Sequence, residues 1–409
     1  MDYLPRLVDG RIDALLAELP AIFITGPRAT GKTTTAARRA ATLVRLDREA
    51  EAVAVRADPD AALRGLREPI LLDEWQVAPG VLGAVKRAVD ADPRPGRFLI
   101  TGSVRGDLDG EMWPGTGRLT RVAMFGMTVR ELTALGPGVT FMDRVAAGAD
   151  LLPAKDSPDL RGYVELALRS GFPEPALRLS ENARRAWLES YVEHLLTRDA
   201  EQVDGGRDPI RLRRYLAAYA LNTAGVVDER TLFEAAGINR RTAQAYERLL
   251  ANLLVVEALP AWTSNRLKRL VLMPKRHLVD PALAGAVLGF DTNLVLREGD
   301  LLGRLLDTFV VAQLRAEVGL STAMPRLYHV RQQQGRLEVD LLIELAGGRL
   351  IAIEVKADAA PSPDAARHLA TLRDLYPETF VAGIVLHTGP RTYRLGDRIV
   401  AAPISTLWG

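Results

Sequence analysis

Gly26-Pro27-Arg28-Ala29-Thr30-Gly31-Lys32-Thr33 matches G-x-x-x-x-G-K-[ST] in full, and both flanks are what that pattern requires. The apolar run 21–25 (AIFIT) precedes it as a short strand, and residues 32–41 (KTTTAARRAA) follow as a helix. In that setting the N–H groups of the loop and of the helix N-terminus face phosphate oxygens. Lys32 stands to neutralise the β- and γ-phosphates and Thr33 to offer its hydroxyl to Mg2+. Gly26, Pro27, Arg28, Ala29, Thr30, Gly31 and Thr34 complete the cradle. The stretch predicts that ATP, or a closely related nucleotide, binds with Mg2+ and is hydrolysed.

Further short apolar runs lie outward from the loop, at 42–47 (TLVRLD), 69–73 (PILLD) and 97–103 (RFLITGS). Helical patterns, such as that over 81–89, separate them. Strands alternating with helices imply a parallel sheet with both faces covered. The run Ile70-Leu71-Leu72-Asp73-Glu74 delivers Asp73 to the sheet edge, where it suits Mg2+, and sets Glu74 to polarise the attacking water. An acidic pair opening the next helix is the plainer alternative. Phe98 to Ser103 ends in hydroxyl residues, so Ser103 is read as a sensor of the γ-phosphate; simple strand termination by Gly and Ser is the alternative. Arg118, with Arg121 behind it, is the arginine expected to complete transition-state charge, against a plain surface arginine.

The chain has 409 residues, more than a single core supports, so several domains are expected. They are placed at 1–135 (ATPase), 136–205 (linker and helical lid), 206–290 (winged-helix-like) and 291–409 (a small α/β domain). The net charge of +2 excludes a strongly cationic or acidic tail. With no cysteine, disulfides and thiolate metal sites are excluded, which fits a reducing compartment. The five histidines are scattered, with no H-x-x-x-H pair, which argues against zinc. No apolar run approaches the roughly 18 residues of a membrane span, and no signal-peptide pattern opens the chain. A cytoplasmic protein without a membrane partner is expected.

The middle of the chain is helical from 163 to 203, and Asp204-Gly205-Gly206 reads as a boundary. Residues 231–242 then read as helix, glycine turn at Gly237, helix, with Asn239 capping the second helix and Arg240 and Arg241 on its surface. LLVVEAL follows as a wing. DNA contact by Arg240 and Arg241 and a packing module with a solvated basic face both fit.

The C-terminal part reads as a second α/β unit. Its runs LEVDLLIEL and RLIAIEVK are separated by Ala-Gly-Gly, a hairpin signal. Alternation puts Glu354 and Lys356 on one face, and a loop centred on Gly347 sets Asp340 opposite Glu354. Two carboxylates can hold Mg2+ while a lysine activates water. Asp307, on the preceding helix, stands to add a third carboxylate. A solvated strand face gives the same alternation.

Together GPRATGKTT, LLDEWQ, FLITGS and the GR of GTGRL resemble the N-terminal half of AAA-type prokaryotic ATPases paired with a C-terminal domain of unknown function. SGFPEPAL, WLESYVEHLLTRDA, GINRRTAQAYERLL, LVDPAL, EVDLLIE and IEVKA continue the resemblance through nearly the whole chain. It implies an AAA-type ATPase domain, a winged-helix region and a restriction-endonuclease-like C-terminal fold. It also implies that Lys32 and Thr33 contact nucleotide, that Asp73 and Glu74 form the second acidic motif, and that Ser103 is the sensor. Asp340, Glu354 and Lys356 match the nuclease-like motif, with Asp307 where such nucleases usually carry glutamate. The leading expectation is a nucleotide-driven switch or motor. The alternatives are an ATP-regulated, metal-dependent nuclease and a nucleic-acid-binding scaffold with an inert nuclease-like domain. DNA, a protein partner or further copies of the chain are the expected partners beside nucleotide.

Overall fold

Runs of apolar residues form the first sheet: β1 (Ala21–Thr25), β2 (Thr42–Arg45), β3 (Ile70–Asp73), β4 (Phe98–Gly102) and β5 (Thr120–Ala123). Their order is β2-β3-β4-β1-β5, and every pairing is parallel. β1 and β4 are buried along their whole length, which is why they read as unbroken apolar runs rather than alternating ones. Ile22, Ile24, Leu71, Leu99 and Val122 pack with Ala36 of the helix Lys32–Ala37 and Ile12 of the helix Asp9–Leu16. Each of these isoleucine, leucine and valine side chains contributes roughly 1.5–3 kcal/mol by leaving water. β1 lies between β4 and β5, so its C-terminal end carries the glycine loop to the middle of one sheet edge.

The computed structural model describes residues 3–103, 116–136, 138–201, 208–332 and 336–409. The expected boundary at Asp204, Gly205 and Gly206 lies outside the described residues, as does Gly115 of the GTGRL motif. The chain divides into two units: residues up to Met127 with 172–174 and 252–254, and the remainder. Among the described residues no helix is long and apolar enough to cross a membrane.

The second unit opens at Thr128, whose side chain and that of Glu131 close a capping box on the helix Val129–Leu132. Residues 136–160 look irregular in sequence, yet they hold the helix Phe141–Ala146, with Phe141 and Met142 fully buried. The helices Pro209–Leu221, Glu229–Ala235 and Arg240–Asn252 follow. Gly237, at φ +66°, makes the turn between the last two, and Asn239 accepts from the Thr242 N–H at 2.9 Å as the expected cap. The strands β6 (Val256–Leu259) and β7 (Lys275–Leu278) then pair antiparallel. Buried Arg276 of β7 donates to Glu247 at 2.9 Å and to the Val227 carbonyl at 2.8 Å, which ties the hairpin to the helix Arg240–Asn252.

A second sheet is built from β8 (Arg326–Gln332), β9 (Leu337–Glu344), β10 (Leu350–Val355), β11 (Phe380–His387), β12 (Tyr393–Gly396) and β13 (Ile399–Pro403). Their order is β12-β13-β11-β10-β9-β8. β9 pairs antiparallel with both β8 and β10, while β11 pairs parallel with β10 and β13. Leu369 and Leu372 of the helix Arg367–Leu375 pack on Leu342, Leu350, Ala352 and Val385. The long helix Gly299–Glu317 lies against β10.

That helix ends on a buried acid. Glu317 is 5% exposed and accepts from the Phe141 N–H at 2.7 Å. Burial pushes its carboxyl up to about 7, against the pull of that N–H and of Arg130 and Arg144. A carboxyl raised by folding favours the folded state below its unfolded pKa of about 4.5, and this contribution is lost as pH rises through about 7. Glu317→Gln keeps an acceptor for Phe141 but does not titrate. We expect it to flatten the stability–pH curve across that window by on the order of 2–3 kcal/mol. Urea melts of both proteins at pH 5 and pH 8 check this; parallel curves would refute it.

Candidate functional site

The glycine loop is shaped by backbone that tolerates few substitutions. A Cβ on Gly26 would lie 1.9 Å from the Met124 carbonyl oxygen, and Gly31 sits at φ +90°. Thr30 fastens the loop internally by donating to the Pro27 carbonyl at 2.9 Å. Lys32 is buried, and its ammonium donates to the carbonyls of Gly26 (2.9 Å) and Pro27 (2.7 Å). Burial pushes the Lys32 amine down to about 8, with Glu74 and Asp73 opposing the shift.

Asp73 ends β3 beside the loop and is 5% exposed. Its Oδ1 accepts from the Thr33 hydroxyl at 2.7 Å and the Thr101 hydroxyl at 2.5 Å. Lys32 and Thr33 are therefore brought beside Asp73 from a separate segment, and Thr101 comes from a third. Thr101 is the member that sequence reasoning missed; the run FLITGS pointed to hydroxyls, but Ser103 was chosen. Ser103 is buried and donates weakly, at 3.5 Å, to Glu74. Glu74 follows the strand in a left-handed conformation, φ +58°, and accepts from Gln76. A backbone of that kind is costly outside glycine and concentrates at functional positions.

Arg118 does not join this group. It precedes Thr120, which pairs with Ile22 at the start of β1, whereas the loop leaves the other end of β1. Its guanidinium donates to Asp90 at 2.7 Å on the surface. Arg118 was expected to complete transition-state charge, but within this chain parallel pairing puts it at the end of the sheet away from the loop. Arg121 lies over the Phe23 ring at 5.7 Å.

In the second unit Asp340 and Glu354 fall in the register the hairpin implies. Ile353 pairs with Leu341 and Leu350 with Glu344, which sets the next pair as Asp340 and Glu354. Asp340 Oδ2 accepts the Val355 N–H at 3.0 Å, and Lys356 donates to Glu354 Oε2 at 2.7 Å. Asp307 joins them from the helix Gly299–Glu317, and Lys275 of β7 completes the cluster. The Lys275 ammonium donates to Asp307 and, at 3.2 Å, to both the side chain and the main-chain carbonyl of Asp340. Burial opposes the Lys275 charge, but Asp307 and Asp340 outweigh it and raise its pKa. Burial works to raise Asp340, but Lys275, the Val355 N–H and Lys356 together outweigh it, so this carboxyl ends below its ordinary value. Burial pushes Asp307 up to about 7, and burial together with Asp340 pushes Glu354 up to about 8. Among the described residues no group of three or more His, Asp or Glu is disposed to hold a metal ion as it stands. Lys275 supplies cationic charge where the sequence reading placed a metal.

A buried parallel strand, a glycine loop, a lysine and a hydroxyl held against a carboxylate from another strand of the same sheet define an AAA-type P-loop ATPase domain. The AAA domain family model matches residues 18–133, and two domains of unknown function, DUF8612 and DUF4143, match residues 160–294 and 302–407. The chain belongs to the family of an uncharacterized protein of Mycobacterium tuberculosis, 31% identical over 397 residues, which span 96% of this chain and 82% of that one. An uncharacterized protein of Mycobacterium bovis matches with the same figures, 31% over 397 residues. Among solved structures, a Walker-type ATPase of Pyrococcus abyssi aligns with a TM-score of 0.43 and 16% identity, covering 70% of this chain and 96% of that one. A RuvB variant of Thermotoga maritima aligns at 0.31 with 20% identity, covering 66% and 90% of the two chains. The Orc1 protein of Aeropyrum pernix, in complex with DNA, aligns at 0.27 with 16% identity, covering 72% and 96%. At these scores the structural likenesses carry no argument about this chain.

Proposed function

We propose that this protein is a Mg2+-dependent ATPase that works as a nucleotide-driven switch or motor. The observation that carries the reading is the contact of the Thr33 hydroxyl with Asp73 at 2.7 Å, beside the buried ammonium of Lys32. An oxygen pair of that kind suits a hard cation with few protein ligands, and Thr33 with Asp73 would hold it. Mg2+ would supply charge neutralisation between the β- and γ-phosphates. Lys32 would leave its carbonyls for phosphate oxygens, and Glu74 would orient and polarise the attacking water. Ser103, and beside it Thr101, would sense the γ-phosphate. Arg118 would act only on a nucleotide held by a second copy of the chain; otherwise it is the surface arginine that its pairing with Asp90 makes it. The full chain should hydrolyse ATP with Mg2+ and lose at least about tenfold of that rate in excess chelator. Turnover indifferent to the chelator would remove Mg2+ from the reading.

For the second unit we infer a winged-helix-like region followed by a restriction-endonuclease-like sheet. The three helices and the β6–β7 hairpin support the first, and the Asp340, Glu354 and Lys356 cluster supports the second. Arg240, Arg241 and Arg248 are exposed on one helix, a face that suits phosphate contacts. Replacing Arg240 and Arg241 together with alanine should weaken DNA binding and flatten its salt slope by about two. Filter binding across a salt series reads this, and unchanged affinity would leave a packing module. The cation position taken by Lys275 favours the scaffold with an inert nuclease-like domain over the metal-dependent nuclease.

A further inference from the structure

The carboxylate centre of the second unit gathers side chains from four elements. Asp307 comes from the helix Gly299–Glu317, Asp340 from β9, Glu354 from β10 and Lys275 from β7. Lys275 is 4% exposed, Glu354 4% and Asp307 6%. A charge at that depth persists only when paired.

The Lys275 ammonium has three N–H groups, and each has a partner: Asp307 Oδ2, Asp340 Oδ1 and the Asp340 carbonyl. Two carboxylates and a main-chain carbonyl converging on one point are the oxygen donors that hard divalent cations take. The ammonium does not exhaust them. Asp307 Oδ1 and Glu354 Oε1 are buried and accept no hydrogen bond, the latter lying 3.8 Å from His368 Nδ1. Lys356 serves only the other oxygen of Glu354. The centre thus holds more acceptor capacity than its internal cation can use.

We propose that Lys275 is a built-in counter-ion: its ammonium stands at the cation position between Asp307 and Asp340 and keeps divalent metal out of that centre. The inference goes beyond the ATPase reading and does not depend on it. A lysine tethered to β7 is present at an effective concentration that free Mg2+ cannot match. Metal enters only when that ammonium is gone.

The test is Mn2+ titration of the full chain without nucleotide, followed by water-proton relaxation. Lys275→Ala is expected to gain one saturable site, at least about tenfold tighter than any in the wild type. Adding Asp340→Asn to Lys275→Ala should abolish the gain. A wild-type site that Asp340→Asn removes would overturn the proposal, because the centre would then take metal with Lys275 in place. Affinity in Lys275→Ala no tighter than wild type would overturn it equally. If Lys275→Ala does not fold in metal-free buffer, far-UV circular dichroism of refolding becomes the readout. Recovery in Mn2+ but not in K+ supports the internal counter-ion, and recovery in neither overturns it. ATP turnover enters none of these readouts, so their failure and a failure of the nucleotide reading stay distinct.

Discussion

Lys32→Ala is expected to raise the Kd for MgATP at least about a hundredfold, close to 2.7 kcal/mol. Its side chain carries a buried cation within the loop, and burial pushes it down to about 8 before any phosphate is present. Phosphate oxygens would restore its preference for the charged form, so nucleotide gains a charge-assisted bond in a water-poor place. Alanine removes that bond and also leaves the Gly26 and Pro27 carbonyls without their donor. Calorimetric titration with a non-hydrolysable analogue checks the prediction. An affinity within a factor of two of wild type would take Lys32 out of the site.

Glu74→Gln separates chemistry from binding. Glu74 stands one residue beyond Asp73, with φ +58°, and its carboxylate meets Gln76 and Ser103. The amide keeps the size of the side chain but cannot polarise water as a base. The kcat for ATP should fall by about two orders of magnitude or more, with nucleotide affinity nearly unchanged. Turnover at the wild-type rate would assign the water to another residue. The left-handed backbone at Glu74 is independent of its charge, so the exchange leaves the turn into Trp75 intact.

The phosphate loop was legible because its signal is contiguous: strand, glycines, lysine, hydroxyl and helix occupy one short run. The placing of Asp340 opposite Glu354 was legible for a related reason, since Ala-Gly-Gly is a local turn and alternation then sets the face. β5 was missed because TRVA buries only Val122 well, and its apolar content is too small to stand out. β12 and β13 were missed beyond the histidine at 387, where turn residues break the pattern. Thr101 was not legible as the partner of Asp73, because only the twist and depth of β4 decide which hydroxyl of FLITGS meets it. The position of Arg118 was not legible, because strand direction determines which end of the sheet it occupies. Lys275 gave no local signal except that a strand beginning Lys-Arg-His is buried throughout. Its partners lie 32 and 65 residues away, and only tertiary folding brings them together.

The ion pair of Lys275 with Asp307 and Asp340 joins a residue within 160–294 to residues within 302–407, the two stretches matched as separate domains of unknown function. Arg315 with Glu257, and Arg269 with Glu344, cross the same division. Breaking one buried pair of this kind costs about 3–5 kcal/mol, because the abandoned charge stays buried. In mechanical terms the two stretches are therefore one cooperative body: separating either from the other, or fusing it to a foreign neighbour, would strand charge in its interior.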